Sequence, residues 1–313
     1  MFNYSKVTLD CTEVLKNFQS FLEDRNIKSE QEISKKDIND YIMTRREQIK
    51  DINYTICAIV DYFIAVENGE LAHEAGIHLD AIATFNNLSK LTKEELGDDV
   101  WQRVFGDVEM PKVGWTLDEI TDFTRQMHEK MRIAVPRERI ENMFQKYAHG
   151  YEQSFNDTLH EILVSKGVDG LINHLNSTLL KELEDCYEKG ELWCGQPVDD
   201  SVIKYVRDNP MNCRNGDKII NKQIPNMLKA YLLATDEKMK RYSACHCAIK
   251  KQSILQDKGG LSHSLCNCSF GHSKKQFDFA FGKQVSGRVV KTVMDAGCLE
   301  CIFEIDIPDG FIE

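Results

Sequence analysis

Residues 264–307 read SLCNCSFGHSKKQFDFAFGKQVSGRVVKTVMDAGCLECIFEIDI, and a change of period inside this stretch decides the fold. Phe270, Phe277 and Phe281 recur at helical spacing after Ser269, a residue type that caps helix N-termini. From Val285 the pattern turns to a period of two. Val285–Met294 and Leu299–Ile307 read as strands, joined by the turn Asp295-Ala296-Gly297-Cys298. Cys301, Phe303, Ile305 and Ile307 fall on one face of the second strand, with Glu304 and Asp306 on the other. Ser264–Cys268 reads as a further short strand. The stretch predicts an antiparallel sheet with a helix packed on it.

Upstream, helical periods dominate. Leu15, Phe18, Phe21 and Leu22 define one helix, and Ser34 caps a second with Ile38, Tyr41 and Ile42 on one face. Ile49, Ile52, Ile56, Ile59, Val60 and Phe63 mark a third. Thr92/Glu95 and Thr116/Glu119 fit the capping box, in which each side chain accepts from the other residue's backbone N–H. Met110–Gly114 reads as a loop, and Pro136 opens a helix with Ile140, Met143, Phe144 and Tyr147 that ends near Gly150. Residues 193–197 and 209–216 are turn-rich, and Met227, Leu228, Tyr231 and Leu232 mark a helix after Pro225. The expected organisation is a helical bundle over 1–95, a helical scaffold and connector over 96–235, and a Cys/His-rich α+β domain over 236–313. The fold class is therefore α+β: a mostly helical N-terminal two-thirds, then a C-terminal antiparallel sheet with its packed helix.

Composition is that of a globular chain: 313 residues, 42% hydrophobic and 28% charged. No apolar run reaches the length of a membrane span, and the first residues lack a signal-peptide layout, so a cytoplasmic protein without a membrane partner is expected. The eleven Cys suit that compartment as free thiols, metal ligands or catalysts. Cys11 and Cys57 are expected as buried core thiols, and the other nine fall within 186–301. Net charge is −11, yet Lys238–Lys291 holds eleven Lys or Arg against Asp257 and Asp278. A basic island in an acidic chain reads either as a domain surface that happens to be basic or as a site for a partner, a small anionic ligand or an acidic protein.

Chemistry concentrates in Cys245-His246-Cys247 and Cys266-Asn267-Cys268, with His263 and His272 close by. If both Cys-x-Cys segments were strands, four thiols would face one volume, a soft donor set for zinc or an iron–sulfur cluster. Cys298 and Cys301 across the turn extend the candidate metal set to Cys245, Cys247, Cys266, Cys268, Cys298 and Cys301, with zinc the candidate metal. The spacing is not the Cys-x₂₋₄-Cys knuckle of common zinc modules. A second reading makes Cys268 or Cys266 a nucleophile. Cys268 lies at a helix start where the dipole lowers a thiol's pKa, with His246, His263 or His272 as base and Lys274 and Lys275 as anion-binding groups. A third packs the thiols as core.

Two resemblances accompany these readings. FQSFLEDRNIKSEQEISKKDINDYIMTRR resembles the helical core-binding domain of phage-type integrases in its hydrophobic spacing. Residues 1–68 carry nine basic against twelve acidic side chains, however, and no recombinase Tyr or Arg constellation follows, so DNA is not an expected partner. Residues 240–310, with CHC, LCNCSFGHSKKQFDFAFGKQV and GCLECIFEIDIP, resemble the C-terminal domain of a group of bacterial and archaeal proteins. That group is related to the 4-vinyl reductase-type (hydrocarbon-binding) domain and to the L-2-amino-thiazoline-4-carboxylate hydrolase family. Cys301 and Phe303 match the family's G-D-x-x-C-x-F-x-I signature, and Cys298 stands where it has Asp. The resemblance implies an α+β ligand-binding domain. Function is read as thiol- or metal-dependent hydrolysis of a small anionic C–N or C–S substrate. The alternative is a non-catalytic small-ligand or metal-binding sensor or accessory protein. Oligomeric state is not legible.

Overall fold

The computed structural model of the chain describes residues 11–46, 48, 52–66, 68–112, 115–146, 157–193, 196–256 and 261–311. The stripes read upstream become helices α1 (Thr12–Asp24), α2 (Lys35–Arg45), α3 (Ile52–Ala65) and the long α4 (Gly69–Leu91). They close on Leu15, Phe18, Ile38, Tyr41, Ile59 and Phe63, a core continuous with Leu71 and Ala75 of α4. Ser34 and Asp37 cap α2 reciprocally, as the sequence pattern requires. Cys11 is buried in this core, whereas Cys57 is exposed, against expectation, because α3 turns that face outward.

Thr92 does not start a helix. Residues Thr92–Leu96 continue α4 as a π-helical turn, and the Thr92 hydroxyl donates backward to Leu88 O at 2.7 Å instead of capping forward. Gly97, at φ 97°, ends the run and α5 (Asp98–Phe105) follows. The second capping box forms: Thr116 Oγ1 accepts from Glu119 N at 3.1 Å at the head of α6 (Leu117–Ala134). Pro136 precedes α7 (Arg137–Phe144), which buries Ile140, Met143 and Phe144. Ile49, Val113, Gly114, Tyr147 and Gly150 lie outside the described residues.

Beyond them, α8 (Asp157–Lys189) is two helices end to end across Gly167, at φ 67°. The short pair β1 (Leu192–Trp193) and β2 (Gln196–Pro197) leads to α9 (Asp200–Asp208), then β3 (Asn212–Asn215), β4 (Lys218–Lys222), α10 (Leu228–Leu233) and α11 (Glu237–Ala244). The chain ends with α12 (Cys266–Phe281), β5 (Gly287–Lys291) and β6 (Ile302–Asp306). The four-stranded sheet is antiparallel in the order β3-β4-β6-β5.

The sheet recruits more chain than the period of two revealed. Residues 212–215, NCRN, read as a turn but pair with β4 as a polar edge strand. Lys218–Lys222 then pairs with Ile302–Asp306, so the sheet draws strands from both sides of the boundary expected at 235/236. The inner face is the expected one: Ile219, Phe303, Ile305 and Ile307 pack on Phe270, Phe277 and Phe281 of α12 and on Leu163 and Leu171 of α8. Ser264–Cys268 is not a strand. His263–Leu265 forms a 3₁₀ turn that runs into α12 at Cys266. No helix among the described residues is long and apolar enough to cross a membrane.

Candidate functional site

Neither Cys-x-Cys lies in a strand, yet the structure brings both to one place by another route. Cys245, His246 and Cys247 occupy the extended exit of α11 and run into a tight turn. There the N–H of Lys251 donates to Cys247 O at 3.0 Å, and the Thr124 hydroxyl of α6 donates to Ile249 O at 2.8 Å. Cys266 and Cys268 sit in the first turn of α12, where residues two apart point about 200° from each other at 100° per residue. All four thiols are buried, in a core that also takes side chains from α4, α5, α6 and α7.

The second feature is two adjacent buried lysines that sequence reasoning assigned to a basic surface. Lys250 is 1% exposed and Lys251 is fully buried. The Lys250 ammonium donates to Cys266 Sγ. Burial works against that charge, but Cys266, Cys247 and Cys245 outweigh it and hold Lys250 above its ordinary pKa. Burial pushes the Cys245 and Cys247 thiols up, and Lys250 pulls them partly back. Cys301, just ahead of β6, is pushed to about 12 by burial and by Cys245 and Cys266, so it belongs to the same cluster. Cys298 lies in the β5–β6 connection with its N–H on Asp295 O at 3.1 Å, and its charged neighbour is Lys291.

Lys251 points the other way. Its Nζ lies 2.9 Å from His73 Nε2 of α4 and 4.6 Å from the centroid of the Tyr242 ring. Burial lowers Lys251 to about 8 and, with the Lys251 and Lys35 charges, lowers His73 to about 3. A neutral His73 imidazole is therefore the acceptor for the lysine. Nothing in the spacing of His73 signalled this contact, because its partner lies 178 residues away.

Several expected binding groups take structural roles instead. Lys274 is buried and gives its ammonium to both oxygens of Asp278, at 2.8 and 3.1 Å, while Asp278 also accepts from Val285 N at 2.6 Å. His263 pairs with Asp295 at 2.7 Å on the outside of the cluster. Arg241 donates to Val293 O and Met294 O at 2.7 and 2.9 Å and pins the β5–β6 connection over the thiols. Much of the basic island is thus consumed internally. Among the described residues, no three His, Cys, Asp or Glu side chains converge as a metal would require, and the cation in contact with Cys266 is the Lys250 ammonium.

Two cavities adjoin the cluster. A gap of about 10 Å³ is lined by Cys245, Lys250, Cys266 and Cys301, with Gln223 and His246 on its rim. Gln223 and His246 also line an open groove of about 680 Å³ between α8, α12 and β4, together with His174, Glu182, His272 and Lys275. His246 Nε2 lies 2.6 Å from Ile224 O, and a carbonyl only accepts, so Nε2 carries the proton and Nδ1 is the basic nitrogen. Of the expected catalytic and binding residues, the groove gathers His246, His272 and Lys275, and the gap behind it gathers Cys245, Cys266 and Cys301. Cys247 and Cys268 are buried beside them. Compared with known proteins, the chain matches no protein-family profile, no curated protein and no solved structure.

Proposed function

We propose that this protein binds a small anionic organic molecule in the groove between α8, α12 and β4. The observation that carries this reading is the shared wall: His246 and Gln223 line both the groove and the gap that holds the Cys266–Lys250 pair. A ligand in the groove would lie one side chain from a buried thiol. The volume suits a small molecule, and among the described lining residues three imidazoles and the Lys275 ammonium stand against one carboxylate, Glu182. Glu182 is itself engaged by Trp193 Nε1 at 3.2 Å. The resemblance of residues 240–310 to a small-ligand-binding domain supports the same reading.

A second reading, thiol-dependent hydrolysis of a C–N or C–S bond, is favoured by the Lys250–Cys266 contact. An ammonium on the sulfur stabilises the thiolate that attacks a carbonyl or imine carbon, and His246 Nδ1 is placed to take a proton on the groove side. Zinc, the metal considered for the thiols, would have to displace the Lys250 ammonium from Cys266.

The test is a panel of small carboxylates and amino-acid-like acids, read by thermal shift and calorimetry. A ligand at a hundredfold its Kd adds about 2.7 kcal/mol to stability. His272→Ala with Lys275→Ala is expected to abolish the shift, and Cys266→Ser to leave binding intact. Turnover of the same ligand that vanishes in Cys266→Ser selects hydrolysis. Full binding by the His272/Lys275 double variant would remove the groove from consideration.

A further inference from the structure

Lys250 and Lys274 are both buried beside the sheet, and their partners differ in kind. Lys274 faces two carboxylate oxygens of Asp278, strong charged acceptors. Lys250 faces Cys266 Sγ, and sulfur is a weak acceptor. With Lys250 at 1% and Cys266 at 3% exposure, water does not make good the difference. The amine is nevertheless held against the sulfur by the backbone. Ser253 N donates to Lys250 O at 2.9 Å, Lys251 N to Cys247 O at 3.0 Å, and Cys266 is fixed in the first turn of α12. Beside the two atoms lies the gap of about 10 Å³, close to what one water-sized molecule occupies, with His246 and Gln223 between it and the groove.

We propose that Cys266 and Lys250 form an oxidation site at which a hydroperoxide joins them through one bridging oxygen, Sγ–O–Nζ. The Cys266 sulfur attacks hydrogen peroxide, an S–O bond forms, the O–O bond breaks, and the hydroxide that leaves takes a proton from the Lys250 ammonium and departs as one water, so that Nζ becomes a neutral amine. The sulfur, oxidised by two electrons, is then a sulfenic acid. A second hydrogen peroxide oxidises nitrogen by two electrons: the sulfenic oxygen bonds to Nζ, and the O–H and one N–H hydrogen leave in two further waters. Thiol, amine and two peroxides thus become the bridge and three waters. Thiol reductant reverses it by returning four electrons, with one water released and two disulfides formed in the reductant. The amine is favoured over a disulfide to Cys245 or Cys301 because Nζ is the group in direct contact with the Cys266 sulfur.

The experiment exposes the 313-residue chain to graded hydrogen peroxide, digests it without reductant and reads peptide masses. The expected product joins the peptides of Lys250 and Cys266 at about 14 Da above their sum, one oxygen gained and two hydrogens lost, and dithiothreitol restores both peptides. The variant Lys250→Arg is expected to give only a dimedone-reactive sulfenic acid at Cys266. Loss of two hydrogens between Cys266 and Cys245 or Cys301, oxygen added to Cys266 alone in the wild-type chain, or an unmodified Cys266 would each overturn the proposal. The decisive reading is on the wild-type protein, so it survives a variant that fails to fold, and it is independent of any groove ligand.

Discussion

At the scale of single residues, the Lys250–Cys266 contact is asymmetric, and the asymmetry is measurable. A buried thiol left without a cation beside it packs as a small apolar group at little cost. A buried ammonium left alone must stay charged in a poor environment or give up a proton at about 1.4 kcal/mol per unit below its ordinary pKa of about 10.4. Cys266→Ala is therefore expected to destabilise by about 2–4 kcal/mol, and Lys250→Met, which keeps length and removes the charge, by less than about 1.5 kcal/mol. Lys274→Met is the control. It takes the ammonium away from the buried Asp278 carboxylate, which keeps its bond from Val285 N, and is expected to cost about 3–5 kcal/mol. Urea denaturation of the three variants ranks them, and Lys250→Met costing as much as Lys274→Met would refute the argument. None of this could be read from charge counting, which treats every lysine between 238 and 291 as surface.

At the scale of elements, the hydrophobic periods were legible where one face decides everything. The Phe270/Phe277/Phe281 stripe, the Phe303/Ile305/Ile307 alternation and the caps at Ser34 and Thr116 stand as read. Asn212–Asn215 escaped because an edge strand of Asn, Cys and Arg carries no apolar alternation and is defined by its pairing with β4. The Cys-x-Cys segments misled for the opposite reason. Their period of two suited a strand, but Cys266, Asn267 and Cys268 in the first turn of α12 are all buried, so both thiols are interior although they point apart. That burial depends on Gly271. A Cβ there would lie 2.4 Å from Gln145 O and 2.8 Å from Gln145 Cα, backbone atoms at the end of α7 that cannot swing away. The close approach also lets Gln145 Nε2 donate to Asn267 Oδ1 at 3.0 Å, between the two cysteines. Gly271→Ala is expected to cost about 1–3 kcal/mol. It should also speed labelling of Cys266 and Cys268 by a thiol reagent in the folded protein, read by mass spectrometry. Unchanged stability and labelling would mean that α12 does not depend on this contact.

At the scale of the whole molecule, the N-terminal bundle and the C-terminal cluster are one electrostatic system, joined where Lys251 meets His73 of α4. This was hidden from the sequence because neither residue has a local partner. The same interior imposes a pH dependence whose sign is fixed. His128, 4% exposed on α6, is lowered to about 4, first by burial and then by the Arg132 charge, and its Nε2 finds no hydrogen-bond partner among the described residues. His73 is lowered further, to about 3. Both lie below the ordinary value of about 6.5 that the unfolded chain shows. Between those limits the unfolded state binds protons that the folded state refuses, so stability rises with pH and is lost as pH falls from about 6.5 toward 4. For His128 the span of about 2.5 units corresponds to roughly 3 kcal/mol. Carboxylates act in a lower window: Asp199, which Lys229 and Ser201 hold at about 2 against the effect of burial, contributes its loss only below about pH 4. Urea midpoints at pH 7.5, 6.0, 5.0 and 4.5 should therefore fall steadily in the wild-type chain. In His128→Leu they should fall along a shallower line, whatever that variant's stability at pH 7.5, because the leucine takes up no proton in the unfolded chain. Parallel lines for the two proteins would show that His128 is charged in the fold, and would move the acid sensitivity to His73 and its contact with Lys251.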